Sequence, residues 1–344
     1  MNIPDVVHLV VPGDVDDPAL PSGGNAYDRR VARGLADAGW AVPEIAVDGS
    51  WPRPAPADRA ALDRVLAGLP DGAVVLLDGL VACGVPAVVV PHATRLRIVV
   101  LVHLSLAEEA PDLAAAEHEV LTAVSAVVAT SPWTARRLSV DGVHIATPGV
   151  DPAPAARGTN GAGRLLCVGS ITPTKGQDLL VDALAAVTDL PWTCDLVGPL
   201  RRDPAHVELV RRSIGNHGLG DRVRITGPLA GAALDAVFDA ADLLVLPSRV
   251  EAYGMVLTEA LARGTPVLAT AVGGVPETVG DAGLVVAPSG LAGALRGWLA
   301  DPDLRDELRA AARRARLDGW EVTTRCLANA LNSTSQMSLP GTRV

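Results

Sequence analysis

The sequence predicts an α/β protein in which two parallel sheets, each wound with helices, follow one another along the chain. Three observations carry that prediction. Short β-branched apolar runs alternate with helical patterns over most of the sequence. The alternation halts once, at a stretch that resembles neither element, and then resumes. The 344 residues, at 35.3 kDa, also exceed what one hydrophobic core usually holds. With 49% hydrophobic and 20% charged residues, and with glycine and proline spread rather than clustered, a disordered or collagen-like chain is excluded.

Taken in order, the first series places strands at residues 5–11, 41–47, 73–78, 87–90, 97–102, 126–129 and 143–146, with long helices at 26–39 and 114–124. The segment TPGVDPAPAARGTNGAG, residues 147–163, is dense in turn formers and marks the boundary. A second series places strands at 164–168, 192–197, 222–226, 242–247, 266–270 and 283–287. After Pro288 only helical patterns follow, at 290–300, 302–316 and 319–331. Two Rossmann-like halves result: a domain over 1–156, another over 157–318, a helix over 319–331, and a tail over 332–344 expected to fray.

Charge narrows the partners. The net charge of −10 argues against nucleic acid and against an anionic membrane, both of which need basic patches. Residues 1–156 carry ten basic and 19 acidic side chains, a net of −9, and the rest carry 19 basic and 20 acidic, a net of −1. The C-terminal half is the better host for an anion. Four cysteines, Cys83, Cys167, Cys194 and Cys326, lie far apart and read as reduced thiols. The N-terminus lacks a basic leader and its apolar run falls short of the roughly 18 residues of a membrane span, so a cytoplasmic protein is expected.

Ligands of parallel sheets bind beyond the carboxyl ends of strands, which directs attention to the segments that follow them. After the strand at 164–168 comes VGSITPTKGQDLL, where Gly169 allows a tight turn and Lys175 and Gly176 open a helix. Lys175 is the only lysine among 29 basic residues, which suggests a compact point charge placed for an anion. After the strand at 242–247 comes SRVEAYGMVLTEALARG, where Glu251 precedes a helix starting near Gly254 and Glu259 lies within it. Carboxylates on either side of the amides of Gly254 to Leu257 suit a ligand with hydroxyls at both ends and phosphate between them, as in a nucleotide sugar. A helix-capping acid beside a surface acid is the plainer alternative.

Weaker signals are Gly273 and Gly274, which let backbone approach a ligand or another segment, and Gly23, Gly24 and Asn25 before the first long helix. His103 ends a central strand, either facing a crevice or satisfied in the core, and His92 has the same predicted setting. No histidine spacing suggests zinc. Asp14 and Asp16 form a D-x-D that reads as a solvated acidic turn.

Taken together these segments resemble the retaining glycosyltransferases of family four, which have the GT-B architecture: two Rossmann-like domains facing across a cleft, with a C-terminal helix crossing back to the N-terminal domain. E-x7-E in EAYGMVLTEALARGTPV is the most specific element, supported by VGSITPTKG, ADLLVLPS, VGGVPETVGDAGLVV and PGVD at 148–151; DGWEVTTRCLANAL is similar to the crossing helix. The resemblance implies an acceptor domain over 1–156 and a nucleotide-sugar donor domain over 157–318. It implies that Glu259 holds the ribose, Glu251 the donor sugar, and the backbone from Tyr253 through Gly254, Met255, Val256 and Leu257 the phosphate and sugar. Lys175 would neutralise the diphosphate beside Gly169 and Ser170, Gly24 would approach the phosphates, and His103 would meet the sugar near its anomeric carbon. Where the family commonly reads V-G-R, this chain has Ser170, and Arg201 or Arg249 would supply the missing cation.

The implied reaction is transfer of a sugar from a nucleotide-diphosphate sugar to an acceptor hydroxyl with retention, by Lys175, Glu251 and His103 as catalytic residues, with no metal and no cofactor. A sugar-nucleotide epimerase or phosphorylase of the same architecture, or an inactive sugar-nucleotide-binding homologue, are the alternatives. A G-x-G-x-x-G after a strand is missing, which sets a dinucleotide-dependent dehydrogenase aside. Trp133, Arg136 and Arg137 make only a small basic patch, so a soluble acceptor, neutral or amine-bearing, is expected, with no membrane association.

Overall fold

A computed structural model describes residues 5–159 and 161–335. The chain forms two compact units. One comprises the residues to Asp16, Gly24–Gly149 and those from Trp320 on; the other comprises Asp17–Gly23 and Val150–Gly319.

In the first unit six strands form one sheet: β1 Val7–Pro12, β2 Glu44–Val47, β3 Val74–Asp78, β4 Arg97–Val102, β5 Ala126–Ala129 and β6 His144–Ile145. Their spatial order is β2-β1-β3-β4-β5-β6, all parallel. The second unit holds β7 Arg164–Val168, β8 Thr193–Val197, β9 Val223–Gly227, β10 Leu243–Leu246, β11 Val267–Thr270 and β12 Leu284–Val286. Here the order is β12-β11-β10-β7-β8-β9, again parallel throughout. Central strands such as β10 are buried on both faces and therefore apolar at every position rather than at alternate ones. On β7, Leu165 enters a core with Leu180, Leu184, Val210 and Trp298, while Leu166 enters the opposite one with Phe238, Leu244, Leu257 and Val267.

These two sheets are the Rossmann-like halves the sequence predicts, with one exception. The run at 87–90 is no strand: it lies inside the helix Pro86–Ala93. Proline suits the first helical turn because its missing N–H would be unpaired there anyway. Val89, His92 and Ala93 are buried while Ala87 and Pro91 are exposed, so the segment lays one face on the sheet with helical spacing. Local β propensity yields to packing.

The last helix, Trp320–Ser335, belongs to the first unit and buries Leu327, Ala330 and Leu331 there. Residues 332–335, expected in the tail, continue this helix; the remainder of that tail, 336–344, lies outside the described residues. Thr323 Oγ1 donates to the carbonyl of Thr147 at 2.7 Å. The helix Gly23–Asp37 meets it at Gly34, where an added Cβ would lie 2.1 Å from Oγ1 and 3.2 Å from Cβ of Thr324. Gly34→Ala should therefore lower stability by about 1–3 kcal/mol, the usual cost of overpacking, although alanine favours helix by ~1 kcal/mol. Chemical denaturation checks this, and Thr324→Ala in the same chain should recover most of the loss; a Gly34→Ala protein more stable than wild type would contradict the packing.

Candidate functional site

In the second unit the strand order reverses direction between β7 and β10, and the carboxyl ends of strands at such a switch point are where parallel sheets commonly hold ligands. Lys175 follows β7 and Glu251 follows β10. Lys175 ends a single 3-10 turn, Pro173–Lys175, and the helix Gln177–Ala185 begins after Gly176. Gly176 has φ +67°, and a Cβ there would sit 2.1 Å from the carbonyl oxygen of Pro247 beyond β10. Glycine is thus required both for the backbone angle and for the close approach of the two loops. The loops are also hydrogen-bonded, since the amides of Arg249 and Val250 donate to the carbonyl of Thr174 at 2.7 and 3.3 Å.

The outcome is an ion pair between the two loops: Lys175 Nζ lies 2.6 Å from Glu251 Oε2, which also accepts from Ser248 Oγ at 3.2 Å. Lys175 keeps 31% of its side-chain surface exposed and Glu251 11%, so solvent, or a ligand, reaches the ammonium more readily than the carboxylate. The Glu251 loop is held from behind by Gly273 and Gly274. A Cβ at Gly273 would lie 1.8 Å from the Glu251 carbonyl oxygen, and the Gly274 amide donates to that oxygen at 3.0 Å. Gly273 thus lets one chain segment approach another, one of the two uses expected of it.

Beyond Glu251 comes the helix Met255–Ala262, with Gly254 at its cap and Glu259 in its second turn. The Leu257 amide is not an open donor, because it bonds the Gly254 carbonyl at 2.8 Å and the Leu257 side chain is fully buried. The amides of Met255 and Val256 remain as the donors of that helix start. Tyr253, half-buried, has its phenol pushed up to about 12, chiefly by burial and then by the charge of Asp318. Gly169 and Ser170 lie at the end of β7, where their carbonyls accept from Gln177 Nε2 at 3.3 and 3.0 Å.

The two arginines considered in place of the V-G-R arginine differ. Arg249 grips both carboxylate oxygens of Asp178 at 2.8 and 2.6 Å and the Pro173 carbonyl at 2.8 Å, so it braces the Lys175 loop instead of offering a free cation. Arg201 is exposed in the loop after β8, and the amide of Ile171, next to Ser170, donates to Pro199 of that loop at 3.1 Å.

The first unit gathers a second constellation. Its sheet has its own switch point between β1 and β3, and His103 follows β4 next to them. His103 Nε2 lies 3.0 Å from Oδ1 of Asp28 and 3.3 Å from Oδ2 of Asp78. Gly24 lies over the same ring, its position for a Cβ being 3.2 Å from Cδ2. Gly23, Gly24 and Asn25 are already the first turn of the helix Gly23–Asp37, not a loop before it. Burial opposes the imidazolium, but the Asp28 charge and the hydrogen bonds to both carboxyls outweigh it, and His103 is pushed up to about 10. Burial, with the Asp78 charge adding to it, pushes Asp28 up to about 6 against the pull of His103.

Neither aspartate is indicated by any motif. Asp78 ends β3, so the strand-end rule that exposes Lys175 and His103 also reaches it; Asp28 stands one helical turn after Gly24, a spacing that places both on one face. His92 is not at a strand end: it sits in the helix Pro86–Ala93 with Nε2 2.8 Å from Asp63, a structural pairing. Asp16 pairs with Arg29 at the surface, in keeping with an acidic turn. Cys83, Cys167 and Cys194 are buried and Cys326 half-buried, all as free thiols. No described helix is long and apolar enough to cross a membrane.

Two Rossmann-like domains of parallel six-stranded sheets make this a GT-B fold, the architecture that the sequence resembles. Over nearly the whole chain it matches solved structures of that architecture. Sucrose-phosphate synthase from Thermosynechococcus elongatus has a TM-score of 0.76 at 23% identity, covering 97% of this chain and 100% of that one. Anabaena Alr3699/HepE in complex with UDP and glucose has a TM-score of 0.74 at 19% identity, covering 96% and 100%. Residues 157–315 match the family described as Glycosyl transferases group 1. The chain is also 34% identical over 240 residues to a D-inositol 3-phosphate glycosyltransferase of Jonesia denitrificans, covering 60% of this chain and 56% of that protein. To the protein of the same name from Kineococcus radiotolerans it is 38% identical over 214 residues, covering 53% and 49%. The chain thus spans about half the length of the curated relatives it matches.

The His103 cluster favours the folded state more at low pH than at high pH. Because its folded value lies above the ordinary 6.5, the imidazolium contributes stability that is complete below about pH 6.5 and is lost as pH rises toward about 10. The raised Asp28 acts in a lower window, its contribution being lost between about pH 4 and 6. Denaturation of wild type and His103→Asn at several pH values should show the wild-type advantage shrinking between neutrality and pH 10. An advantage constant over that range would contradict it.

Proposed function

We propose that this protein is a glycosyltransferase that moves a sugar from a nucleotide-diphosphate sugar to an acceptor hydroxyl, with retention of anomeric configuration and without a metal. The observation that carries the reading is the Lys175–Glu251 pair at the switch point of the second sheet. An ammonium and a carboxylate 2.6 Å apart match a ligand that is anionic in one part and a polyol in the next. In this reading Lys175 exchanges Glu251 for the diphosphate, Glu251 then accepts from sugar hydroxyls, and Glu259 accepts from the ribose. The amides of Met255 and Val256 donate to the β-phosphate, Gly169, Ser170, Tyr253, Gly254 and Gly24 line the donor, and Arg201 supplies the second cation that Ser170 does not; Leu257, buried and with its amide bonded to the Gly254 carbonyl, drops out of the expected donor set. The family match over 157–315 and the UDP and glucose held by Anabaena Alr3699/HepE support a nucleotide-sugar donor.

For the chemistry, the bond from the anomeric carbon to the phosphate oxygen breaks while the acceptor oxygen bonds on the same face. The acceptor proton passes to the departing phosphate. Lys175 and the helix amides offset the charge that gathers there, and His103 attends the sugar, so the protein acts by positioning and charge stabilisation.

The acceptor in this reading is a small soluble polyol, as the names of the curated relatives suggest. The net charge of −9 over residues 1–156 favours a neutral or amine-bearing polyol over a phosphorylated one. UDP-, GDP- and ADP-glucose each in turn should be tested by thermal shift and by nucleotide release with inositol, inositol 3-phosphate and an amino sugar as acceptors. One donor should raise Tm by several degrees, since a ligand at 100 times its Kd adds about 2.7 kcal/mol; Lys175→Ala and Glu251→Ala should each abolish most of that rise. Release should persist in EDTA and be faster with the uncharged or amine acceptors. A protein stabilised by none of these donors would sink the reading.

A further inference from the structure

Asp28, Asp78 and His103 come from three elements, and each is set in place separately. Asp28 belongs to the second turn of the helix Gly23–Asp37. That helix is anchored by Tyr27, whose hydroxyl donates to the Ala146 carbonyl at 2.8 Å and whose ring meets both His103 and Trp320 edge-on, at 5.2 and 5.7 Å. Asp78 divides its carboxyl: Oδ1 accepts from the amides of Leu80 and Val81 at 2.6 and 3.3 Å, and Oδ2 faces His103. His103 is held through its own backbone, its carbonyl accepting from Thr130 Oγ1 at 3.0 Å.

Burial is uneven. Asp28 and Asp78 are 2% and 4% exposed, whereas the His103 side chain keeps 22%. The carboxyls are therefore sealed behind the ring while the ring itself reaches the surface of its unit. Moreover, Oδ2 of Asp28 is buried without a hydrogen-bond partner. Leaving such an atom unpaired costs stability, and one carboxyl would suffice to orient an imidazole for packing alone. Both carboxyls meet the same nitrogen, and among the described residues no hydrogen bond reaches Nδ1.

We propose that Asp28 and Asp78 are positioning residues that grip Nε2 of His103, keep its ring an imidazolium, and so present Nδ1–H as a hydrogen-bond donor to an oxygen of the bound sugar. His103 is then a donor in the reaction and not a base. The inference rests on the glycosyl-transfer reading above for the identity of the ligand, but the grip on the ring can be measured without it. The charged groups facing His103 are Asp28 from the helix and Asp78 from the end of β3, with the neutral Tyr27 ring beside them, and the raised value of His103 agrees with that setting.

The test combines histidine ring NMR with nucleotide release. The His103 signal, assigned by its loss in His103→Asn, should stay in the protonated position beyond about pH 8 in wild type, and its midpoint should fall by at least about one pH unit in Asp28→Asn and in Asp78→Asn. With UDP-glucose as the donor, or whichever sugar nucleotide is released by wild type, Asp28→Asn should lower kcat about tenfold or more with KM changed less than about threefold, and Asp28→Glu should restore part of the loss. A wild-type His103 that titrates near its ordinary value overturns the proposal even if no variant folds. So does a kcat unchanged in Asp28→Asn once its midpoint has fallen. A raised wild-type midpoint that falls in both variants, in a protein that turns over no sugar nucleotide, upholds the grip and sinks the transfer reading instead.

Discussion

One ion pair organises the second unit: Lys175 against Glu251, held at 2.6 Å where β7 and β10 diverge. Each partner depends on backbone that only glycine can supply, Gly176 for the lysine loop and Gly273 behind the glutamate loop. Arg249 adds a brace by tying the strand-end segment of Glu251 to Asp178 on the helix that follows Lys175. A partly exposed ion pair is worth little as a source of stability. In the function proposed here its value lies in keeping a cation and a hydroxyl acceptor preorganised side by side, so that little is lost in ordering them when a ligand arrives.

The first unit reaches a comparable result with another strand order. Its switch point lies between β1 and β3, and the residues that gather near it are a histidine and two acids rather than a lysine and one. The difference follows from charge. A deeply buried pair of carboxyls needs a proton or a cation nearby, and the imidazole provides it, so Asp28 and His103 are pushed in the same direction for opposite reasons: burial prevails over charge in the acid, and charge prevails over burial in the base. The helix Trp320–Ser335 supports this arrangement through Trp320 and Tyr27, which gives the last described helix a part in placing residues near the start of the chain.

Much of this is legible in the residues. Each of the twelve strands overlaps an expected run, and central ones such as Val74–Asp78 and Leu243–Leu246 stand out because both their faces are buried; even the two-residue β6 falls within an expected strand. The run at 87–90 misleads because three valines in succession fit a buried strand as well as a buried helix face, and periodicity cannot separate the two over four residues. Lys175 is conspicuous as a lone lysine and Glu251 by its spacing from Glu259. Asp28 and Asp78 are not, since their meeting with His103 joins residues up to 75 positions apart and leaves no local pattern. The Leu257 amide departs from expectation for a smaller reason: the Gly254 turn closes on it and removes one donor from the helix start.

Where a nucleotide sugar comes to rest decides the function proposed for this chain, and a crystal structure of the protein soaked with the sugar nucleotide that stabilises it most would show it directly. The diphosphate is predicted within hydrogen-bond distance of Lys175 Nζ and of the amides of Met255 and Val256, the ribose on Glu259, the sugar hydroxyls on Glu251, and the original Lys175–Glu251 contact lengthened. Density for the ligand elsewhere, with that contact intact at its present 2.6 Å, would contradict it.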